Sequence, residues 1–294
     1  MKLEHGFNVI EPSTEGHATS WVTCELKINE WRKKMNDTVI DYHIVFDDAT
    51  EDYAEHSRKI ARELSTQPDK LFFFKHEPEG GGSTGHAKGL NRALHTSDPT
   101  HINVIADSDT VLLVKGWDNI IREMMLHFSV VGTPYEDIGG ACSGHGRGQT
   151  YKKLPGFVFF AAAPGCPIKS LDTEPNKQMP IYINDMKLSN RYNLPVGYTL
   201  FCDVGWRLPE WLEDRQLTHY EFNNLRLKDM PGCNECDIAN ELYSFKTQVP
   251  NTALPPVIPF IAHQRSGRST PYMQGASKKF YDAAQTVFDT CQYT

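Results

Sequence analysis

The sequence has no apolar run approaching 18 residues; the longest, Phe157–Ala163, is of strand length. A membrane-spanning helix needs about 20 such residues, so none is expected. No charged-then-apolar leader occupies Met1–Ile10, and no secretory signal is expected there. Basic charge is not in excess either. The formal net charge is −7, which argues against a nucleic-acid partner, since such proteins carry a basic face. A local basic pocket for phosphate stays open. Cysteine is sparse, odd in number and scattered, with seven in all. In a chain this long that pattern reads as reduced thiols of a cytoplasmic protein. Cys233 and Cys236 form a lone CxxC, half of a zinc site with no second pair, and are read as free thiols in a loop. No internal repeat or low-complexity segment is present.

What is present suits an ordinary globular protein: 294 residues, 39% apolar and 23% charged. Such a chain can bury roughly 75% of its unfolded surface without staples. Strand and helix signals alternate through the first half. Phe7–Ile10 is a short apolar run followed by a polar loop, Glu11–Thr19. Ser20–Met35 has helical spacing, and Asp41–Phe46 is a strand ending in Asp47-Asp48. Then come a charged helix, Glu51–Leu64, and a strand, Leu71–Lys75. After a glycine breaker, Gly80–Gly82, follow a helix over Gly85–His95, a strand at Ile102–Ala106 and a helix at Gly116–Met125. This alternation implies βαβ units, an α/β fold and a mostly parallel sheet.

Past residue 131 the pattern loosens. Phe128–Gly132 and Gly156–Ala163 read as strands, with a flexible glycine-rich loop, Gly139–Gly148, between them. Glu174–Asn193 is mixed, Trp206–Leu217 reads as a helix, Asn251–Pro259 as extended, and Tyr281–Thr290 as a last helix. No flexible linker divides the halves. The expectation is one continuous domain, 1–294, with a nucleotide-binding half at 1–131 and an acceptor-binding half at 132–294.

Acids stand at two expected strand ends, Asp47 with Asp48 and Asp107 with Asp109. In open α/β sheets, ligands bind beyond those ends. Residues i and i+2 of a strand share a face roughly 6–7 Å apart. Carboxylates that close repel unless a cation sits beside them, and Mg²⁺ or Mn²⁺ prefers oxygen ligands and bridging phosphates. Asp107-Ser108-Asp109 is thus either a metal-diphosphate grip or a solvated turn. Upstream, Gly85-His86-Ala87-Lys88-Gly89-Leu90-Asn91 follows the glycine run. A helix start fed by glycines is a ready anion site, and Lys88 adds a charge in its first turn. The plainer alternative is an amphipathic helix with Lys88 in solvent.

Gly85-x-x-x-x-x-Asn91, its helix and an apolar strand ending in Asp107-x-Asp109 resemble the core of GT-A-fold glycosyltransferases, especially family 2-like members. The resemblance covers about residues 7–125. It implies a GT-A (Rossmann-like), mostly parallel central sheet with flanking helices and a smaller acceptor-side C-terminal lobe. It implies a nucleotide-sugar donor, UDP by default. Asp107 and Asp109 would hold the metal, Mn²⁺ or Mg²⁺, and Asp107 and Ser108 would contact the nucleotide-sugar, including its ribose. Asp47 or Asp48 would contact the base, and Lys88 and Asn91 match the basic residue and Asn of the helix. The chain departs from the family where a Thr-x-Asn-type loop follows the first strand. Glu11-Pro12-Ser13-Thr14-Glu15 stands there, making Pro12 and Ser13 candidate nucleotide contacts.

Two C-terminal segments extend the resemblance. Phe201-Cys202-Asp203-Val204-Gly205-Trp206 is similar to an acid-bearing segment on the acceptor side, which makes Asp203 the candidate general base. A base must take the acceptor proton as the hydroxyl attacks the anomeric carbon; a helix N-cap is an equal and compatible role. His263-Gln264-Arg265-Ser266-Gly267-Arg268-Ser269 resembles a loop closing over the donor diphosphate, with His263 completing a metal shell that suits Mn²⁺. Arg265, Ser266 and Arg268 would then face the leaving diphosphate. The alternative is a basic surface loop. Trp206 and Trp211 either stack on acceptor sugars or, from their helical spacing, belong to the core.

The resemblance implies a metal-dependent, inverting glycosyltransferase with a carbohydrate or glycoconjugate acceptor. It leaves donor sugar, acceptor and oligomeric state open. One rival is a sugar-nucleotide pyrophosphorylase, which would carry a glycine-rich Arg/Lys signature after the first strand; Glu11–Thr19 lacks it. The other is a non-catalytic carbohydrate- or nucleotide-binding module, against which the intact Asp107, Asp109, Asp203 and His263 argue.

Overall fold

A computed structural model describes residues 7–14, 40–47, 71–75, 83–106, 110–114, 116–134, 142–144, 155–174, 181–192, 194–202, 204–226, 240–245 and 258–264. The chain begins with strands β1 (Phe7–Thr14), β2 (Ile40–Asp47) and β3 (Leu71–Lys75), then helix α1 (Ser83–Thr96). Strands β4 (Ile102–Ala106) and β5 (Thr110–Leu112) precede α2 (Trp117–Met124), followed by β6 (Val130–Pro134), β7 (Cys142–Gly144) and β8 (Pro155–Ala162). Next come β9 (Ile181–Tyr182), α3 (Met186–Tyr192), β10 (Thr199–Cys202) and α4 (Leu208–Asp214). The described residues end with β11 (His219–Glu221), β12 (Asn223–Arg226), β13 (Asn240–Phe245) and β14 (Ile258–Gln264).

Seven strands make the central sheet, in the order β3-β2-β1-β4-β8-β6-β11. Among them β8 alone runs against its neighbours; the other pairings, β1–β2, β2–β3, β1–β4 and β6–β11, are parallel. This is the mostly parallel α/β architecture the sequence pattern implies. Two smaller antiparallel sheets complete it, β7-β10-β9 and β12-β13-β14-β5.

Both faces of β4 are covered, which explains its apolar sequence. Ile102, Val104 and Ala106 join one core with Trp117, Phe159, Phe222 and Phe260. Ile105 joins the other, with Leu90, Leu94, Phe160 and Trp211. That alternation is the period-2 geometry of a strand. Asn103 is the polar exception, 1% exposed, and its amide donates to the carbonyls of Asp98 and His101 at 3.3 and 3.1 Å. In the first core Phe159 meets Trp117 and Phe260 edge to face, at 6.4 and 6.2 Å between centroids. Such pairs add about 0.5–1.5 kcal/mol each beyond burial.

Several expected boundaries move. β1 runs on to Thr14 instead of ending at Ile10. Pro12 falls past the end of the β4 register, where β1 behaves as an edge strand and tolerates a proline. The glycine-rich stretch expected as a loop contains β7, paired to β10 from Cys142↔Cys202 to Gly144↔Leu200. The helix expected over Trp206–Leu217 is confined to Leu208–Asp214, behind a turn and with a proline in its first turn. The helices expected at Ser20–Met35, Glu51–Leu64 and Tyr281–Thr290, and the Cys233/Cys236 pair, lie outside the described residues. No helix among the described residues is long and apolar enough to cross a membrane.

Candidate active site

The chain leaves β1 for β2 and β3 on one side and returns to β4 on the other. The carboxyl ends of β1 and β4 therefore form a topological switch point, where open α/β sheets bind ligands. The register shows how it opens. β1 and β4 pair as far as Ile10↔Ile105, whereas β1 and β2 stay together to Thr14↔Asp47. Pro12 and Ser13 thus lie on the projecting end of β1, opposite Val45 and Phe46, and Asp47 is the last residue of β2. Asp48 lies outside the described residues.

Asp107, Ser108 and Asp109 are the three residues between β4 and β5 and lie outside the described residues. Both ends of that link are held. Ala106 is 1% exposed at the end of β4. Thr110, fully buried, donates its hydroxyl to the Val158 carbonyl of β8 at 3.0 Å. β5 also pairs antiparallel with β14, in the register Thr110↔His263, Val111↔Ala262 and Leu112↔Ile261. The Leu113 N–H extends that contact to the Phe260 carbonyl at 2.9 Å. Directly opposed antiparallel residues have Cβ atoms about 4.5–5.5 Å apart. His263, 8% exposed, is therefore fixed across from the residue that follows Asp109.

Glu241 of β13 occupies the position beside His263 on its other side. Glu241, His263 and Thr110 form one row across three strands. Neither Thr110 nor Glu241 stands out in the sequence, because the register that aligns them joins distant segments. No group of three or more His, Cys, Asp or Glu among the described residues could hold a metal ion. The two aspartates of the candidate set are not among them. The donor types nonetheless suit a divalent cation: a buried imidazole lies opposite Thr110, and two aspartates precede Thr110 in the chain.

Helix α1 starts at Ser83 with no acidic residue in its first turn, which leaves its N-terminal dipole available to an anion. Lys88 falls in the second turn rather than the first and is half-buried. Asn91 is occupied. Its Oδ1 accepts the Thr173 N–H at 3.0 Å and lies 2.7 Å from the Thr173 hydroxyl. Its Nδ2 is 3.5 Å from Asp172 Oδ1. The amide side chain is thus a clamp on residues 172–173.

Asp203 follows the last residue of β10 and precedes the turn Val204–Arg207; it lies outside the described residues. The N-cap position of α4 is Arg207, four residues further along the chain. Arg265, Ser266 and Arg268, just beyond β14, also lie outside the described residues. Trp206 and Trp211 are 6% and 4% exposed. Their indole N–H groups donate to the Glu174 carbonyl at 2.8 Å and to Ser170 Oγ at 3.0 Å. The Arg207 and Arg215 guanidinium groups stand 5.1 and 5.6 Å from their ring centroids. This packing makes both tryptophans core residues instead of an acceptor platform. Among the described residues of this region, the exposed aromatics are Tyr182 and Tyr198. Cys166 is a buried thiol pushed up to about 12 by burial, so it is no nucleophile.

No family model matches the sequence, and no curated protein matches it. Solved structures with a similar chain path include the galactosyltransferase LgtC, solved with donor and acceptor sugar analogs. It is 10% identical over 95% of both chains, with a TM-score of 0.45. The mannosyltransferase PcManGT from Pyrobaculum calidifontis, solved with GDP-Man and Mn²⁺, is 14% identical over 53% of this chain, with a TM-score of 0.36. The match spans 44% of PcManGT, less than half its length. A glucose-1-phosphate thymidylyltransferase from Bacillus anthracis, solved with a sucrose, is 11% identical over 74% of this chain and 86% of its own, with a TM-score of 0.38. Likenesses at this level concern chain path alone.

Proposed function

We propose that the chain is a GT-A-type glycosyltransferase moving a sugar from a nucleotide-diphosphate donor, UDP by default, to an acceptor hydroxyl with inversion. The observation that carries the reading is the pairing of Thr110 with His263. It supports the reading because the buried His263 lies opposite Thr110, the residue that follows Asp109 in the chain. Pro12, Ser13 and Asp47 or Asp48 would border the nucleoside, and Lys88 with Arg265, Ser266 and Arg268 the diphosphate. Asp107, Asp109 and His263 would hold Mn²⁺ or Mg²⁺, which supplies positive charge against the diphosphate.

Asp203 would take the proton of the acceptor hydroxyl as its oxygen bonds to the anomeric carbon. The bond from that carbon to the phosphate oxygen breaks, and its electron pair leaves with the nucleoside diphosphate. The basic groups stabilise that leaving charge. The acceptor is a carbohydrate or glycoconjugate, and a cytoplasmic setting suits the scattered cysteines.

The test is a panel of UDP-glucose, UDP-galactose, UDP-N-acetylglucosamine and GDP-mannose, each with Mn²⁺ and with EDTA. Metal-dependent release of the nucleoside diphosphate from at least one donor is expected. Pyrophosphate made from a nucleoside triphosphate and a sugar 1-phosphate, with no donor turnover, would install the pyrophosphorylase reading instead.

A further inference from the structure

Residues 172–174 form a strap between α1 and the turn that follows Asp203. Thr173, at its centre, is fully buried, yet every polar group it has is used. Its N–H donates to Asn91 Oδ1 at 3.0 Å. Its hydroxyl lies 2.7 Å from that same oxygen and 3.0 Å from the Ala87 carbonyl, two acceptors for one hydrogen. Its carbonyl accepts the Gly205 N–H at 2.9 Å. Gly205 has φ +76°, a conformation in which a side chain is strained, so the backbone there is committed to this contact.

The flanking residues repeat the pattern. Glu174 receives the Trp206 indole N–H at 2.8 Å, and Asp172 meets Arg207 at 2.6 Å. Three consecutive strap residues therefore bind three consecutive turn residues, Gly205, Trp206 and Arg207. On the opposite side the strap grips α1 at Ala87 and Asn91, around Lys88.

We infer that Thr173 is a positioning residue for the base: it fixes the turn Val204–Arg207, which follows Asp203 directly in the chain, against the donor-side helix. The inference rests on the glycosyltransferase reading and on Asp203 as its base. A buried hydroxyl, an amide clamp and a glycine turn are an elaborate way to join a helix to a turn for packing alone. The segment they fix begins one residue past the acid that must meet the acceptor. Misplacing a reacting group by about 1 Å can cost a hundredfold in rate, so this joint controls turnover more than donor affinity.

The experiment compares Thr173→Val, Thr173→Ser, Arg207→Met and Asp203→Asn with the wild type. It uses the best donor of the panel above for turnover, and UDP with Mn²⁺ for binding. Thr173→Val should lower kcat about tenfold with donor KM and UDP affinity within about twofold, the split expected when ground-state binding is spared. Thr173→Ser, which keeps the hydroxyl, should recover most of kcat. Wild-type kcat in Thr173→Val, beside an inactive Asp203→Asn, would overturn the positioning role and leave the base in place. An equal fall in kcat and UDP affinity would overturn it too. Full activity of Asp203→Asn, or no turnover of any donor, removes the reading beneath it. Should Thr173→Val not fold, Arg207→Met decides: Arg207 is exposed, and loss of its Asp172 contact should cost about threefold in kcat. An unchanged kcat there counts against the proposal.

Discussion

The two acid-bearing corners of this protein are held in different ways. The Asp107–Asp109 link is framed by backbone ladders: β4 leads into it between β1 and β8, and β5 leaves it paired with β14. The Asp203 corner is entered from a ladder, Cys202↔Cys142 of β10 and β7, but the turn that follows it has none: Gly205 meets the Thr173 carbonyl, and the Trp206 and Arg207 side chains meet Glu174 and Asp172. Ladder bonds do not depend on side-chain identity, so the first corner should survive single substitutions that leave the core intact. The second should not. A metal grip gains from a rigid frame, because ligand geometry must be held closely.

The comparison can be broken from the core outwards. Phe159→Ala, which empties the aromatic cluster beneath β4 and β8, should cost about 3–5 kcal/mol in chemical denaturation. A cost under about 1 kcal/mol would mean that the ladders do not lean on this core. His263→Ala should weaken Mn²⁺ binding in the presence of UDP on the order of tenfold or more, read by the Mn²⁺ resonance signal, with little change in melting temperature. Unchanged Mn²⁺ affinity would detach β14 from the grip.

Thr110→Val removes one buried hydroxyl bond and leaves the β5–β14 ladder. It should cost about 1–2 kcal/mol of stability and only a few-fold in metal affinity. A loss as large as that of His263→Ala would show that side chains, and not ladders, hold this corner. Cys166, in the same core as Trp211, provides the smallest effect. Burial holds its thiol neutral, pushed up to about 12, so iodoacetamide should not label it in the native protein near pH 8. The stabilisation from burying the neutral thiol is complete below about pH 8.5. It shrinks as the pH climbs towards 12. Rapid native labelling at pH 8 would contradict the packing around Trp211 and Arg215.

How far the sequence could be read follows the same division. β3 and β4 match their expected limits, because each is an apolar run bounded by polar residues and both ends are local signals. β5 was invisible: three residues, Thr110–Leu112, carry no period, and their partner β14 lies far along the chain. The polar residues Glu11–Thr14 looked like a loop because their strand pairing with β2 is a tertiary fact. The helical spacing of Trp206 and Trp211 fits stacking and packing alike; their indole N–H partners, Glu174 and Ser170, are tertiary contacts with no local signal. The strap at 172–174 left no sequence signal at all. An Asn, a Thr and an Asp become a joint only when α1 and the β10 turn are brought together.

On the proposed function, a metal-bound diphosphate lies across the end of β4. UDP affinity, measured calorimetrically with Mn²⁺ and with EDTA for wild type, Asp107→Ala and Asp109→Ala, tests it most directly. Mn²⁺ should tighten UDP binding in the wild type by about tenfold or more. Asp109→Ala should abolish that gain, and Asp107→Ala should reduce it without abolishing it. Equal UDP affinity with Mn²⁺ and with EDTA in all three proteins would contradict the account.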